Sequence, residues 1–160
     1  MSRLALNTGL DLYVRPPLDT VSTIRCGLPS TTWPARLADD ASVRTVVLHG
    51  EGKSFCSGLD IASFMSGQGG TGMLLERDSD RLANFAQRVA YDWSLVPAPV
   101  IAAIHGNCFG GGLQIALGTD IRIASPDAKL SIMEVKWGLV PDMGITQTLP
   151  RLVPIDVERG

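Results

Sequence analysis

Three stretches of this chain hold residue types whose spacing suits chemistry at a carbonyl group. The first is Gly106-Asn-Cys-Phe-Gly110-Gly111-Gly112, which follows an apolar strand pattern and runs into a helical one ending past Gln114. The first N–H groups of a helix lack intrahelical partners, and the helix dipole puts partial positive charge there. Without Cβ atoms a ligand oxygen can come close to that backbone. Such a place suits an oxygen that becomes anionic in a transition state. Close helix–strand packing asks for glycine as well, so this turn alone leaves both readings open. The second stretch, Phe55-Cys56-Ser57-Gly58-Leu59-Asp60, also follows a strand pattern and offers further backbone N–H groups. The third, Met133 to Gly144, places Glu134 and Asp142 on either side of an apolar run. A partly buried carboxylate there could take up and return a proton.

Other motifs fail on spacing. Gly50-Glu-Gly-Lys53-Ser54 ends like a phosphate-binding loop, but Val47 stands where its first glycine is required. The glycine turn is not G-x-G-x-x-G, and Ile123, Ala124 and Ser125 occupy the region where a ribose-binding acid is sought. There is no G-x-S-x-G elbow. His49 and His105 each end a strand pattern without a second ligand at metal spacing, which favours a structural role. Cys26, Cys56 and Cys108 have no metal-type spacing and read as reduced thiols of a cytoplasmic protein.

Together, Gly-Lys-Ser-Phe-Cys-Ser-Gly-Leu-Asp, Ile-His-Gly-Asn-Cys-Phe-Gly-Gly-Gly and the segment from Glu134 to Pro150 resemble the crotonase superfamily, the enoyl-CoA hydratase/isomerase family. The resemblance runs from Ala41 to about Val153. It implies an acyl-CoA thioester substrate, and a reaction of fatty acid metabolism through an enolate. It implies an oxyanion hole made by the backbone N–H groups of Leu59 and Gly111. Coenzyme A is then part of the substrate, with no separate cofactor and no metal. The resemblance also places Ser57, Gly58, Asp60, Ile61, Gly110, Val135 and Pro141 against the substrate. Hydratases of the family use two glutamates. Glu134 matches the second, but Gln114 stands at the position of the first. An amide neither accepts nor delivers a proton at neutral pH, though it can orient a partner. Adding water calls for two acid–base groups, whereas a double-bond isomerase can work with one carboxylate. The stretch Glu-Val-x-x-Gly-Leu-x-x-Asp also resembles dienoyl-CoA isomerases, whose further acid matches Asp142. The expectation is an isomerase-like site with Glu134 as proton shuttle, Asp142 as second acid and Gln114 as polar positioner. The alternatives are a hydratase (a lyase) despite Gln114, a non-catalytic fragment retaining at most acyl-CoA binding, and an α/β interaction domain.

The elements that must position these residues follow from the patterning. Val43 to Leu48 and Val100 to His105 read as buried strands, Ile121 to Ala124 and Lys129 to Met133 as short ones. Leu75, Leu82, Phe85, Val89 and Trp93 share one helical face and predict a helix from about Met73 to Leu95, stopped by Pro97 and Pro99. Leu113 to Leu117 continues the glycine turn as helix, and Asp142 to Leu152 reads as a last helix. Strands alternating with helices indicate an α/β fold with largely parallel pairing. The resemblance sharpens this to the ββα spiral of the ClpP/crotonase class, incomplete here and lacking a C-terminal helical region.

Residues 1–36 contrast with this. Pro16, Pro17, Pro29 and Pro34 punctuate them, no period survives for more than a few residues from Tyr13 to Arg36, and the expectation is an irregular, out-of-frame segment over 1–36 before a core at 37–160. Members of the family are longer and assemble as trimers or hexamers. A chain stopping at Gly160 would expose apolar surface and associate. Charge is close to balance, with 14 basic and 16 acidic side chains, which argues against nucleic acid or a polybasic membrane contact as partner. Glycine is in excess, 17 of 160 residues, and it clusters in the candidate site.

Overall fold

A computed structural model describes residues 10–15, 22–25, 32–58, 79–154 and 156. Its centre is a five-stranded sheet. Strands β1 (Leu10–Arg15), β2 (Ser22–Arg25), β3 (Thr45–Gly50), β4 (Val100–Ile104) and β6 (Ile121–Ala124) lie in the order β2-β1-β3-β4-β6. β1 runs antiparallel to β2 and β3, while β3, β4 and β6 are parallel. β3 and β4 alternate buried and half-buried positions, as strands with one fully covered face do, and Val46, Leu48, Val100 and Ala102 form that face. Trp93, Val89 and Ile115 close the core over them.

A second, two-stranded sheet does the positioning. β5 (Asn107–Phe109) pairs in parallel with β7 (Lys129–Ser131), with Phe109 opposite Ser131. On the other side of β5, Cys56 forms an isolated parallel bridge with Cys108. Its N–H donates to Asn107 O at 3.0 Å, and its carbonyl accepts from Phe109 N at 2.9 Å. Three chain segments far apart in sequence are thereby held side by side.

The helices bounded within the described residues are short. Among the described residues these include α1 (Thr32–Ala38), α2 (Phe85–Tyr91), α3 (Gly111–Leu117) and α4 (Ile145–Thr148), with 3-10 turns at Asp92–Leu95, Met133–Trp137 and Leu149–Arg151. α2 begins at Phe85 because Asn84 caps it. Asn84 Oδ1 accepts from Gln87 N at 2.9 Å while Asn84 N–H donates to Gln87 Oε1 at 3.1 Å. This reciprocal pair satisfies two N-terminal donors.

Several expectations change here. The long helix from Met73 fails for the described residues 79–84, which precede the cap, and Leu82 is 83% exposed rather than on the buried face. Residues 73–78 lie outside the described residues. Lys129 to Met133 is not one strand: β7 ends at Ser131 and a 3-10 turn starts at Met133. Asp142 to Leu152 shrinks to α4 and its 3-10 extension, because Gly144, at φ +98°, is the N-cap and fixes the start at Ile145. Within 1–36, expected to be irregular, β1 and β2 pair with the sheet and α1 begins at Thr32. The alternation of Leu10, Leu12 and Val14 with Asp11, Tyr13 and Arg15 is a strand signal that precedes the proline-rich stretch.

Candidate active site

The site is assembled by two strands that each run straight into a helical turn. β5 leads through Gly110 into α3, and β7 leads through Ile132 into the 3-10 turn that carries Glu134. Gly110 N–H donates to Ser131 O at 2.9 Å, extending the ladder by one step. Glu134, three residues beyond Ser131, then lies over Gly110. A Cβ on Gly110 would sit 3.4 Å from Glu134 Oε1 and 3.6 Å from Oε2. Gly110 is the N-cap of α3 at φ +54°, ψ −125°, a conformation open to glycine and strained for other residues.

Gln114, one turn into α3, is only 2% exposed and fully hydrogen-bonded at its carbonyl end. Its Oε1 accepts from Met143 N at 2.9 Å and Ile145 N at 3.4 Å. Its Nε2 donates to Glu134 Oε1 at 2.7 Å. Glu134 Oε2 is buried with no hydrogen-bond partner. The backbone of Glu134 is fixed too, since its carbonyl accepts from Leu139 N at 3.0 Å, across the left-handed Gly138 that ends the turn. The carboxylate is thus anchored by one oxygen, with the other buried and unpaired.

The donors expected to polarise a carbonyl are half within view. Gly111 is buried at the first position of α3, where its N–H has no intrahelical acceptor. Gly58 approaches the same turn, its Cα side packed toward Phe109 O, and Ser57 beside it is exposed. Leu59, Asp60 and Ile61 lie outside the described residues. Gly112 is pressed against Cys56: an added Cβ would stand 2.5 Å from Cys56 Sγ and 3.0 Å from Cys56 O. The packing reading of the glycine run holds at Gly112. Gly112 packs, and Gly110 and Gly111 face the carboxylate and the free helix end.

The remaining site residues stand further out. Pro141 is half-buried, Asp142 is exposed, and Val135 is 71% exposed. The sequence did not disclose the grip of Gln114 on Met143 and Ile145, which joins residues 29 and 31 positions apart. Of the two histidines, His49 contacts the end of its own strand and His105 the loop that follows that strand. His49 Nδ1 lies 2.9 Å from Gly50 O and His105 Nε2 lies 3.2 Å from Gly52 O. Among the described residues, no group of three or more His, Cys, Asp or Glu could hold a metal ion, and no helix is long and apolar enough to cross a membrane.

Comparisons with known proteins fit this geometry. The sequence profile of the enoyl-CoA hydratase/isomerase family matches residues 35–158. The chain is 44% identical over 114 residues to a Bacillus subtilis protein designated "Probable enoyl-CoA hydratase", covering 71% of this chain and 42% of that protein. It is 38% identical over 122 residues to the peroxisomal Delta(3,5)-Delta(2,4)-dienoyl-CoA isomerase of Arabidopsis thaliana, covering 73% of this chain and 44% of that protein. The crystal structure of enoyl-CoA hydratase from Bacillus anthracis superposes with a TM-score of 0.65 at 28% identity, covering 81% of this chain and 48% of that one. The chain therefore belongs to the enoyl-CoA hydratase/isomerase family, the crotonase superfamily, which is a family of enzymes, and its α/β fold is the crotonase fold. It spans less than half the length of these relatives.

Proposed function

We propose that this chain carries the catalytic half-site of an acyl-CoA enzyme that moves a double bond through a thioester enolate. One observation carries the reading: Glu134 lies over the start of α3 with Oε1 tied to Gln114 and Oε2 buried and unpartnered. In this reading the thioester oxygen accepts from the N–H groups of Gly111 and Leu59. Negative charge developing on that oxygen is met by preorganised donors and by the positive end of α3. Glu134 Oε2 removes a proton from one carbon of the acyl chain and returns it to another on the same face. Asp142 serves as second acid, on a loop tethered next door at Met143 N. Ser57, Gly58, Asp60, Ile61, Gly110, Val135 and Pro141 line the path of the thioester. Coenzyme A enters as part of the substrate, with no metal or other cofactor. We place the protein in the cytoplasm, where Cys56 and Cys108 would stay as the free thiols they are.

Isomerisation is favoured over hydration because Gln114 cannot activate water. Hydration is the second reading, favoured by the 44% identity to a relative named as a hydratase. The test is product analysis with 2-enoyl, 3-enoyl and 3,5-dienoyl thioesters of coenzyme A. Isomerised products, lost on Glu134→Gln, support the first reading. A hydration rate well above the isomerisation rate supports the second.

A further inference from the structure

We infer that Gln114 is a positioning residue that acts as a two-ended clamp, fixing which oxygen of Glu134 meets the substrate and tying the Pro141–Ile145 loop to the same point. The inference rests on the proposed proton shuttle at Glu134 for its catalytic consequence, but not for the clamp itself.

The argument begins with the amide's orientation. The two ends of a glutamine side chain are nearly alike in shape and opposite in hydrogen-bonding character. Here the choice is forced. Oε1 faces two backbone N–H groups, Met143 at 2.9 Å and Ile145 at 3.4 Å, which only an acceptor can satisfy. A flipped amide would set N–H against N–H at 2% exposure, without water to relieve it. Nε2 must therefore point the other way, and Glu134 Oε1 is there at 2.7 Å, a short bond of the charge-assisted kind. The backbone of the 143–145 loop thus dictates, through one rigid amide, the orientation of the carboxylate.

Two consequences follow. Oε1 of Glu134 is occupied and Oε2 is left as the transferring atom, which is the oxygen found buried and unpartnered. The loop carrying Pro141 and Asp142 is also held in register with Glu134, since Met143 directly follows Asp142. A glutamate at 114 would keep the two acceptor bonds to the loop. It would present an acceptor, not a donor, to Glu134 at neutral pH. The clamp therefore has two separable ends, one removed by Gln114→Glu and both removed by Gln114→Met, which keeps length and apolar volume.

The experiment combines NMR with kinetics on the full chain. In the wild type the Gln114 side-chain NH2 should exchange with solvent at least tenfold more slowly than exposed glutamine amides, and Glu134→Ala should abolish that protection. The Met143 backbone N–H should stay protected in Gln114→Glu and lose protection in Gln114→Met. With 3-enoyl-CoA as substrate, both Gln114 variants should lose about 10²-fold in kcat for isomerisation with KM changed by less than about threefold, as expected when a reacting group is misplaced by about an ångström. Fast exchange of the wild-type Gln114 NH2, or equal Met143 protection in all variants, would overturn the clamp. Unchanged kcat in both folded variants would overturn its catalytic role. If Gln114→Met does not fold, Gln114→Glu and Glu134→Ala still decide between these outcomes. A wild type without turnover counts against the proposed reaction, and the exchange measurements then judge the clamp on their own.

Discussion

Replacing Gly112 by Ala sets two physical effects of opposite sign against each other. Gly112 lies inside α3, where exchanging glycine for alanine should stabilise a helix by about 0.5–1 kcal/mol through backbone entropy alone. The contact geometry predicts the reverse. The new Cβ would overlap Cys56 Cβ, stand 2.5 Å from Cys56 Sγ and lie 3.0 Å from Cys56 O. Cys56 cannot give way, because its N–H and carbonyl are both bonded to β5, at Asn107 O and Phe109 N. The strain must move α3 instead, and overpacking of this kind costs about 1–3 kcal/mol. The predicted net effect is destabilisation by up to about 2.5 kcal/mol, lowering Tm by as much as roughly 10 °C for a chain of this size. Because α3 carries Gly111 and Gln114, activity should fall by more than the unfolded fraction accounts for. Thermal and urea unfolding of Gly112→Ala, with Gly112→Ala/Cys56→Gly as partial rescue, is the assay. A Gly112→Ala variant as stable as the wild type, or more stable, would refute the close-approach argument and leave the helix-propensity one standing.

Other outcomes follow from the same structure. Asn84→Ala removes the capping box of α2 and should cost about 1 kcal/mol in urea unfolding, while Asn84→Ser should cost less. Burial pushes the Cys56 thiol up to about 11, and burial plus the neighbouring Cys56 pushes Cys108 up to about 12, from an ordinary value of 9.0. The folded chain then holds protons that the unfolded chain releases, so this contribution is complete below about pH 9 and is lost as pH rises toward 11–12. Unfolding midpoints should fall across that window, and Cys56→Ala should flatten the decline. Peptide mapping after alkylation at pH 8 should find Cys56 and Cys108 unlabelled until denaturant is added. Ile121, Ile123, Trp137 and Val140 are exposed apolar side chains, so light scattering should find the 160-residue chain associating with rising concentration.

The parts of the fold legible in the sequence are those whose signals are local. β4, β6 and the start of α3 announce themselves through β-branched runs and three adjacent glycines. Glu134 stands out as a carboxylate set in an apolar stretch, and the three motif segments do converge, through the Cys56–Cys108 bridge and the Phe109–Ser131 pairing. What escaped is non-local or decided by single capping residues. The Asn84-x-x-Gln87 box outweighs the hydrophobic step that enlists Leu82 in the helix. Gly144 cuts the last helix to one turn. β1 carries an alternating Leu10-Asp-Leu-Tyr-Val pattern of its own, which the prolines that follow it obscure. The tie between Gln114 and the 143–145 loop belongs to tertiary packing, and no spacing rule discloses it.

The central claim is that Glu134 moves a proton at the acyl chain of a coenzyme A thioester. It is tested most directly by incubating the chain with 3-enoyl-CoA in D2O and following deuterium entry into the acyl chain, for the wild type and Glu134→Gln. The account predicts incorporation by the wild type and a loss of about 10²–10⁴-fold in the variant, the usual share of general acid–base catalysis. Equal incorporation by the two proteins would contradict it.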